Sequence, residues 1–270
     1  MISLRTVQLR IPSLGRAFFA AIMIWLGVMG LIKGDFVQVW QPVPKWVPAR
    51  EAVAYLCAVI SLACGIGLLW QRTAAVASRV LFASLLVWLL LMRLPNLFFE
   101  KPVVLVAWTF GSTGVMVAAA WVLYVRFAGT YDRQRFGLFT DDRGVRIARA
   151  LYGLSLIPFG LAHFMYLDAT TVLIPGWLPW HVAWAYFTGA AFVAAGLAVT
   201  AGVSARLAAV LATLQMFLFG LIVWIPRFVA GALSDFQWGE FVVTWALTAG
   251  AWVVADSYRA PETGGARPLA

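Results

Sequence analysis

The sequence predicts an all-α polytopic membrane protein, with eight transmembrane helices arranged as two parallel four-helix repeats. Three observations lead there. Hydrophobic residues make up 63% of the 270 and charged residues only 11%, with a mean hydropathy of +0.89; a water-soluble core cannot bury that much apolar surface. The apolar residues gather into eight runs, each near the roughly 20 residues that cross a bilayer core as helix. Landmarks then recur at one offset. Pro44-Lys45-Trp46-Val47-Pro48 is echoed 131 positions later by Pro175-Gly176-Trp177-Leu178-Pro179, and the same shift pairs Tyr55 with Tyr186, Gly65 with Gly196, Pro95 with Pro226, and Ala120-Trp121 with Ala251-Trp252.

In chain order the runs are about 17–33, 52–70, 74–94, 102–125, 148–166, 183–202, 205–226 and 238–256. They are continuously apolar and lack the alternation of a membrane barrel strand, so helix is the expectation for each. The first follows Arg5, Arg10 and Arg16. It is too long for a signal-peptide core, no small-x-small cleavage site follows it, and it is read as a retained span. Between the first and second spans of each half, two prolines flank a tryptophan. Prolines at that spacing prevent a regular helix and tryptophan prefers the headgroup level, so both segments are expected to fold back over the outer end of their bundle.

The stretch Arg126 to Arg149, with Gly129, Gly137, Gly144 and Asp141-Asp142, marks the boundary between halves. The expected units are a first repeat at 1–127, a basic linker at 128–147, a second repeat at 148–258 and a disordered tail at 259–270. Four spans per repeat is an even number, so the halves insert the same way up, about a pseudo-two-fold axis along the membrane normal. Lys and Arg on alternate sides number 14 on the side of the termini and linker against 6 on the other. By the positive-inside rule both termini and the linker are cytoplasmic. The net charge of +9 has the same explanation, since no basic groove with interleaved aromatics points to nucleic acid. Cys57 and Cys64 lie seven apart on one predicted helix, roughly 10 Å between Cα atoms, beyond disulfide reach.

Polar groups are costly in a membrane, so the few present are the places to look for function. On the outer side they are Lys33, Asp35, Glu51, Arg93 and Glu100 in the first half, and His163, Asp168, His181, Arg227, Asp235 and Glu240 in the second. Most are expected at interface depth. Arg93 and Arg227 each stand beside a proline near the outer end of a third helix. They are read either as a cation pair facing an anionic or carbonyl group, or as side chains snorkelling to headgroups. A ligand vestibule under the Pro-x-Trp-x-Pro segments would gather Arg93, Arg227, Tyr55, Tyr186, Lys33 and His163. His163 and His181 are the only histidines. Imidazole suits haem iron or a metal, but no third ligand stands at metal spacing, and a structural or interfacial role is expected with no metal site. No Walker loop, dinucleotide fingerprint, Ser-His-Asp set or zinc cluster is visible, so no catalytic residue is assigned, and enzymatic activity is left open with a non-enzymatic role as the first expectation.

Gly160, His163, Pro175 to Pro179, the run Tyr186-Phe187-Thr188-Gly189 through Gly196 and Gly202, Arg206, Ala208-Ala209 and Met216 resemble the DoxX-like membrane proteins, four-helix bundles of bacteria. The likeness covers about 148–228 well and the first half more weakly. Two features depart from it. The acidic residue that often follows the helix-two glycine is replaced by Ala190-Ala191-Phe192-Val193, with Val59-Ile60-Ser61 in the first half, and the lysine at the end of helix one survives as Lys33 but is His163 in the second half. The resemblance implies a bacterial inner-membrane protein that serves as an accessory or assembly subunit of a sulfur/thiol or quinone-linked redox system, with a membrane oxidoreductase as partner beside the lipid bilayer. Two alternatives stand beside it. Parallel repeats and outer polar groups fit a small-molecule or lipid transporter or binding protein, whereas a quinone- or haem-binding oxidoreductase requires His163 or the arginines to face a cavity.

Overall fold

The structure is a computed structural model that describes residues 13–259, apart from Trp46 and Ala232; these two, with Arg5, Arg10 and the tail from 260 on, lie outside the described residues. Eight helices are long and apolar enough to cross a membrane, and no strand occurs among the described residues. They are α1 (Leu14–Lys33), α2 (Arg50–Leu69), α3 (Ala74–Phe99), α4 (Val103–Phe127), α5 (Asp142–Met165), α6 (His181–Ala201), α7 (Ala205–Val229) and α8 (Asp235–Asp256).

The helix ends differ from the apolar runs for local reasons. α5 begins six residues early because Asp141 caps it, its carboxylate accepting from the backbone N–H of Arg143 (2.9 Å) and Gly144 (3.1 Å). This adds a basic turn ahead of the apolar run. α3 and α7 continue past their prolines, through π-helical turns at Leu89–Arg93 and Phe219–Trp224. Proline lacks an N–H and its ring crowds the carbonyl four residues back. A wider turn relieves both, and Leu94 N–H accordingly donates to Leu89 O, five residues back, at 2.8 Å.

The helices close into one ring. Each packs on its neighbours in sequence from α1 to α8, and α8 returns to pack on α1. α4 and α8 also meet each other across the interior, and they are the two most buried spans. The fourth helix of each half therefore packs on the first helix of the other half, α4 on α5 and α8 on α1. Unlike two separate bundles side by side, this arrangement makes the halves share one core.

The seams are built differently. Along α1 and α8, aromatic side chains fill the gap: Trp25 meets Trp238 and Phe241 edge-on with centroids 6.3 Å apart, and Phe18 meets Trp245 and Trp252 at 6.3 and 6.2 Å. Along α5 and α6 there is no gap. Gly153 and Gly160 face Gly196 and Gly189, so close that a Cβ on Gly160 would sit 2.3 Å from Gly189 O and one on Gly196 would sit 2.6 Å from Gly153 O. Such glycine contacts bring backbones together where lipid supplies no hydrophobic drive for helix association. At the end of the molecule that carries the linker, the short helices Thr130–Arg135 and Gly137–Thr140 dock on the ring. Buried Asp132 accepts from Arg79 (3.0 Å) and the Tyr124 hydroxyl (3.2 Å), and the Trp121 indole N–H donates to Phe139 O (2.9 Å). Cys57 and Cys64 are buried free thiols.

Gly160→Ala is expected to lower thermal stability in detergent by overpacking, about 1–3 kcal/mol. Gly176→Ala is the control, since nothing lies within 4 Å of a Cβ there. Equal melting temperatures for the two variants would contradict the backbone contact.

Candidate functional site

The first connection, residues 34–49, does not lie over the bundle but enters it. Phe36, Val37, Val39 and Trp40 are buried. The Trp40 indole N–H reaches Ser61 Oγ at 3.3 Å, and Ser61 stands eleven residues into α2, about 16 Å along its axis. Trp88 of α3 closes the other side, its indole N–H donating to Trp40 O at 3.1 Å and its ring edge-on to Trp40 at 5.2 Å. At the rim, Arg50 pairs with Asp35 at 2.6 Å and lies over the Phe36 ring. The inserted side chain is thus Trp40, whereas Trp46 of the proline segment lies outside the described residues.

Backbone carbonyls carried into the membrane need donors. Arg93, 1% exposed, supplies them: Nη1 donates to Pro42 O at 2.7 Å, Nη2 to Gln41 O, and Nε to Thr113 Oγ1 at 3.1 Å. Arg227 makes the corresponding contacts in the second half, Nη2 to Val172 O and Nη1 to Leu173 O, both at 2.9 Å, with a further bond to Val223 O. The acceptors 41–42 and 172–173 stand 131 positions apart. So do the turns Pro44 to Val47 and Pro175 to Leu178, and the left-handed residues Ala49 (φ 49°) and Trp180 (φ 57°) that precede α2 and α6.

The interiors of the halves differ. Phe192 and Phe219, 131 positions after Ser61 and Trp88, fill the space that Trp40 occupies in the first half. His163 packs with them, its ring stacked on Phe219 at 5.9 Å and its Nδ1 bonded to Phe159 O at 2.7 Å. The second connection accordingly stays outside, with Val172, Trp177 and Trp180 exposed.

The six residues expected in a common vestibule are dispersed. Arg93 and Arg227 point into their own connections. Lys33 is exposed at the end of α1. Tyr55 and Tyr186 are partly exposed on α2 and α6, one beside Gly34 and the other stacked on Phe164 at 5.8 Å. His163 is a packing residue against Phe192 and Phe219, with its Nδ1 engaged by Phe159 O. Among the described residues no three His, Cys, Asp or Glu side chains converge as metal ligands.

A cleft of about 290 Å³ opens at the end opposite the linker, between the inserted connection, α4 and α8. None of the six residues lines it. Its polar groups are Gln38 and Gln41 of the connection, Thr109, Ser112 and Thr113 of α4, and Asp235 and Glu240 of α8, set among apolar residues that include Trp108. Arg93 holds its wall from behind through Gln41, Pro42 and Thr113. Sequence reading placed Asp235 and Glu240 among the outer polar residues but had no means of joining them to Ser112 or Gln41. The signal was a carboxylate two residues inside the apolar run 238–256.

Two stability measurements follow from this geometry. Trp40→Ala and Ser61→Phe are each expected to destabilise, the first by leaving a cavity (about 3–5 kcal/mol for truncating a buried Trp) and the second by overpacking. The double variant, in which a phenyl ring replaces the missing indole as in the second half, recovers part of the loss in a double-mutant cycle; additive losses would refute the shared space. Arg93→Gln is expected to cost more than Arg227→Gln in thermal unfolding, because Arg93 is the more buried and each bond from a charged group is worth about 1.5–3 kcal/mol. Comparison with known protein families, with curated proteins and with solved structures finds no match.

Proposed function

We propose that this integral membrane protein binds a small solute in the cleft between the inserted connection, α4 and α8. The observation that carries the reading is the cleft itself: a cavity with apolar walls and several convergent polar groups, near the low end of the roughly 300–1,000 Å³ of small-ligand sites. The accessory-subunit and quinone- or haem-binding readings follow from the resemblance to DoxX-like proteins. Co-purification of a membrane oxidoreductase, or a visible absorption band from the pure protein, would put them ahead of the cleft.

In this proposal the chain is a tandem duplication whose halves share a pseudo-two-fold axis, supported by the paired arginine contacts, proline turns, left-handed residues and π-helical turns. In the first half the connection enters the bundle and lines the cleft, whereas in the second Phe192, Phe219 and His163 fill the interior that Trp40 occupies in the first. The protein sits in a bacterial inner membrane with both termini and the linker cytoplasmic, supported by the basic residues gathered at the linker end, so the cleft opens outward.

A membrane-impermeant maleimide tests topology and cleft together, in a background with Cys57→Ala and Cys64→Ala. In intact cells Ser112→Cys is expected to label and Arg135→Cys in the linker is not. Labelling of Arg135→Cys from outside would overturn the orientation. A Ser112→Cys thiol unreactive from both sides would overturn the solute site.

A further inference from the structure

We infer that the cleft takes a small organic cation, an ammonium-type group held against the Glu240 carboxylate; this rests on the cleft being the solute site proposed above. The first argument is the hydrogen-bonding state of the walls. The Thr109 hydroxyl donates to Val106 O at 2.9 Å, Ser112 to Trp108 O at 3.1 Å, and Thr113 to Thr109 O at 3.4 Å. The Gln41 side-chain amide donates to Phe36 O at 2.7 Å, and its Oε1 has no partner among the described residues. A hydroxyl has a single proton. With those protons spent, what the hydroxyls and the Gln41 Oε1 offer a ligand is lone pairs; the side-chain N–H groups of the lining without a partner among the described residues are those of the Gln38 amide, the second N–H of Gln41 and the Trp108 indole N–H. Free acceptors, the two carboxylates included, outnumber free donors in this wall, which favours a ligand rich in donors or positive charge.

The second argument is Glu240. It lies five residues into α8, about 7–8 Å along the helix from Asp235, half-buried in the cleft lining. Its carboxylate makes no ion pair and no hydrogen bond with any described residue; only its backbone carbonyl is engaged, by Thr244. Arg93, which bonds this wall from behind, is committed to Gln41, Pro42 and Thr113. An acidic residue within a span is costly, and a bound cation offsets that cost. Asp235 adds a second negative charge to the lining, and Trp108 adds an indole of the kind that attracts ammonium groups. An anion would meet two carboxylates and no free cation in the lining. The volume suits a compact alkylammonium or diammonium ion, either as a free amine or as the headgroup of a zwitterionic lipid.

The test uses full-length protein with Ser112→Cys, Cys57→Ala and Cys64→Ala in phosphatidylglycerol vesicles. Rates of modification by a trimethylammonium and by a sulfonate methanethiosulfonate reagent are each divided by their rates with Gly176→Cys, an open position at the same end of the protein in the same vesicles, so that the surface potential of the anionic lipid cancels. The expected ratio favours the cation by about tenfold, equivalent to about 1.4 kcal/mol. Glu240→Gln is expected to bring the ratio close to one, and Asp235→Asn to lower it less. The wild-type ratio decides the matter even if Glu240→Gln does not fold. Putrescine or tetramethylammonium is expected to protect the thiol, and protection by phosphatidylethanolamine vesicles without added amine would assign the cation to a lipid headgroup. An equal or inverted ratio overturns the cation and leaves the cleft as a solute site. No modification by either reagent removes both.

Discussion

Inside a bilayer every backbone carbonyl must find a donor, and that requirement governs how the first half of this protein is built. Its first connection leaves helix and runs into the bundle, carrying the carbonyls of Gln41 and Pro42 below the rim. Arg93 meets them with its guanidinium and uses its Nε on Thr113 of the neighbouring helix. One side chain thereby joins α3, α4 and the connection. Without those bonds the Trp40 insertion would leave polar groups unsatisfied in an apolar interior, at about 1–3 kcal/mol each. The cleft depends on the same contacts, because Gln41, Pro42 and Thr113 form part of its wall. Arg93 therefore positions the cleft without entering it.

The halves resolve one packing problem in two ways. A small Ser61 leaves space at mid-span that Trp40 and Trp88 close from the connection and from α3, while Phe192 fills the corresponding space in the second half together with Phe219 and His163. Filling the space from α6 removes any reason for the second connection to enter, and it stays exposed. The difference bears on function. The inserted connection supplies Gln38 and Gln41 to the cleft, and the second half has no equivalent segment to do so.

The ring couples the halves through helices that a simple two-bundle picture would keep apart. α4 and α8 are central and each packs on the first helix of the opposite half. The cleft has one wall from α4 and another from α8, so it belongs to both halves at once. Its carboxylates come from the second half and its hydroxyls and amides from the first. A shift of α8 against α4 would change the spacing between these two sets.

The eight spans were legible in the sequence because hydropathy over about 20 residues is a local quantity, and the prolines and recurring landmarks were legible because they need no partner to be recognised. The low charge content alone placed the protein in a membrane. The role of Arg93 was not legible, since a guanidinium beside a proline reads equally as a ligand group, a snorkelling side chain or a backbone clamp; only the path of residues 34–49 decides, and that path depends on Ser61 being small enough to admit Trp40 from far along the chain. Glu240 appeared as one polar residue among several until the α4 and α8 contact brought it beside Ser112 and Thr109, 128 or more positions away. Composition and periodicity determined which segments enter the membrane. Packing between segments distant in sequence decided which polar groups are used up in holding the fold and which are left facing a cavity, because hydrogen-bond satisfaction is a property of neighbours in space.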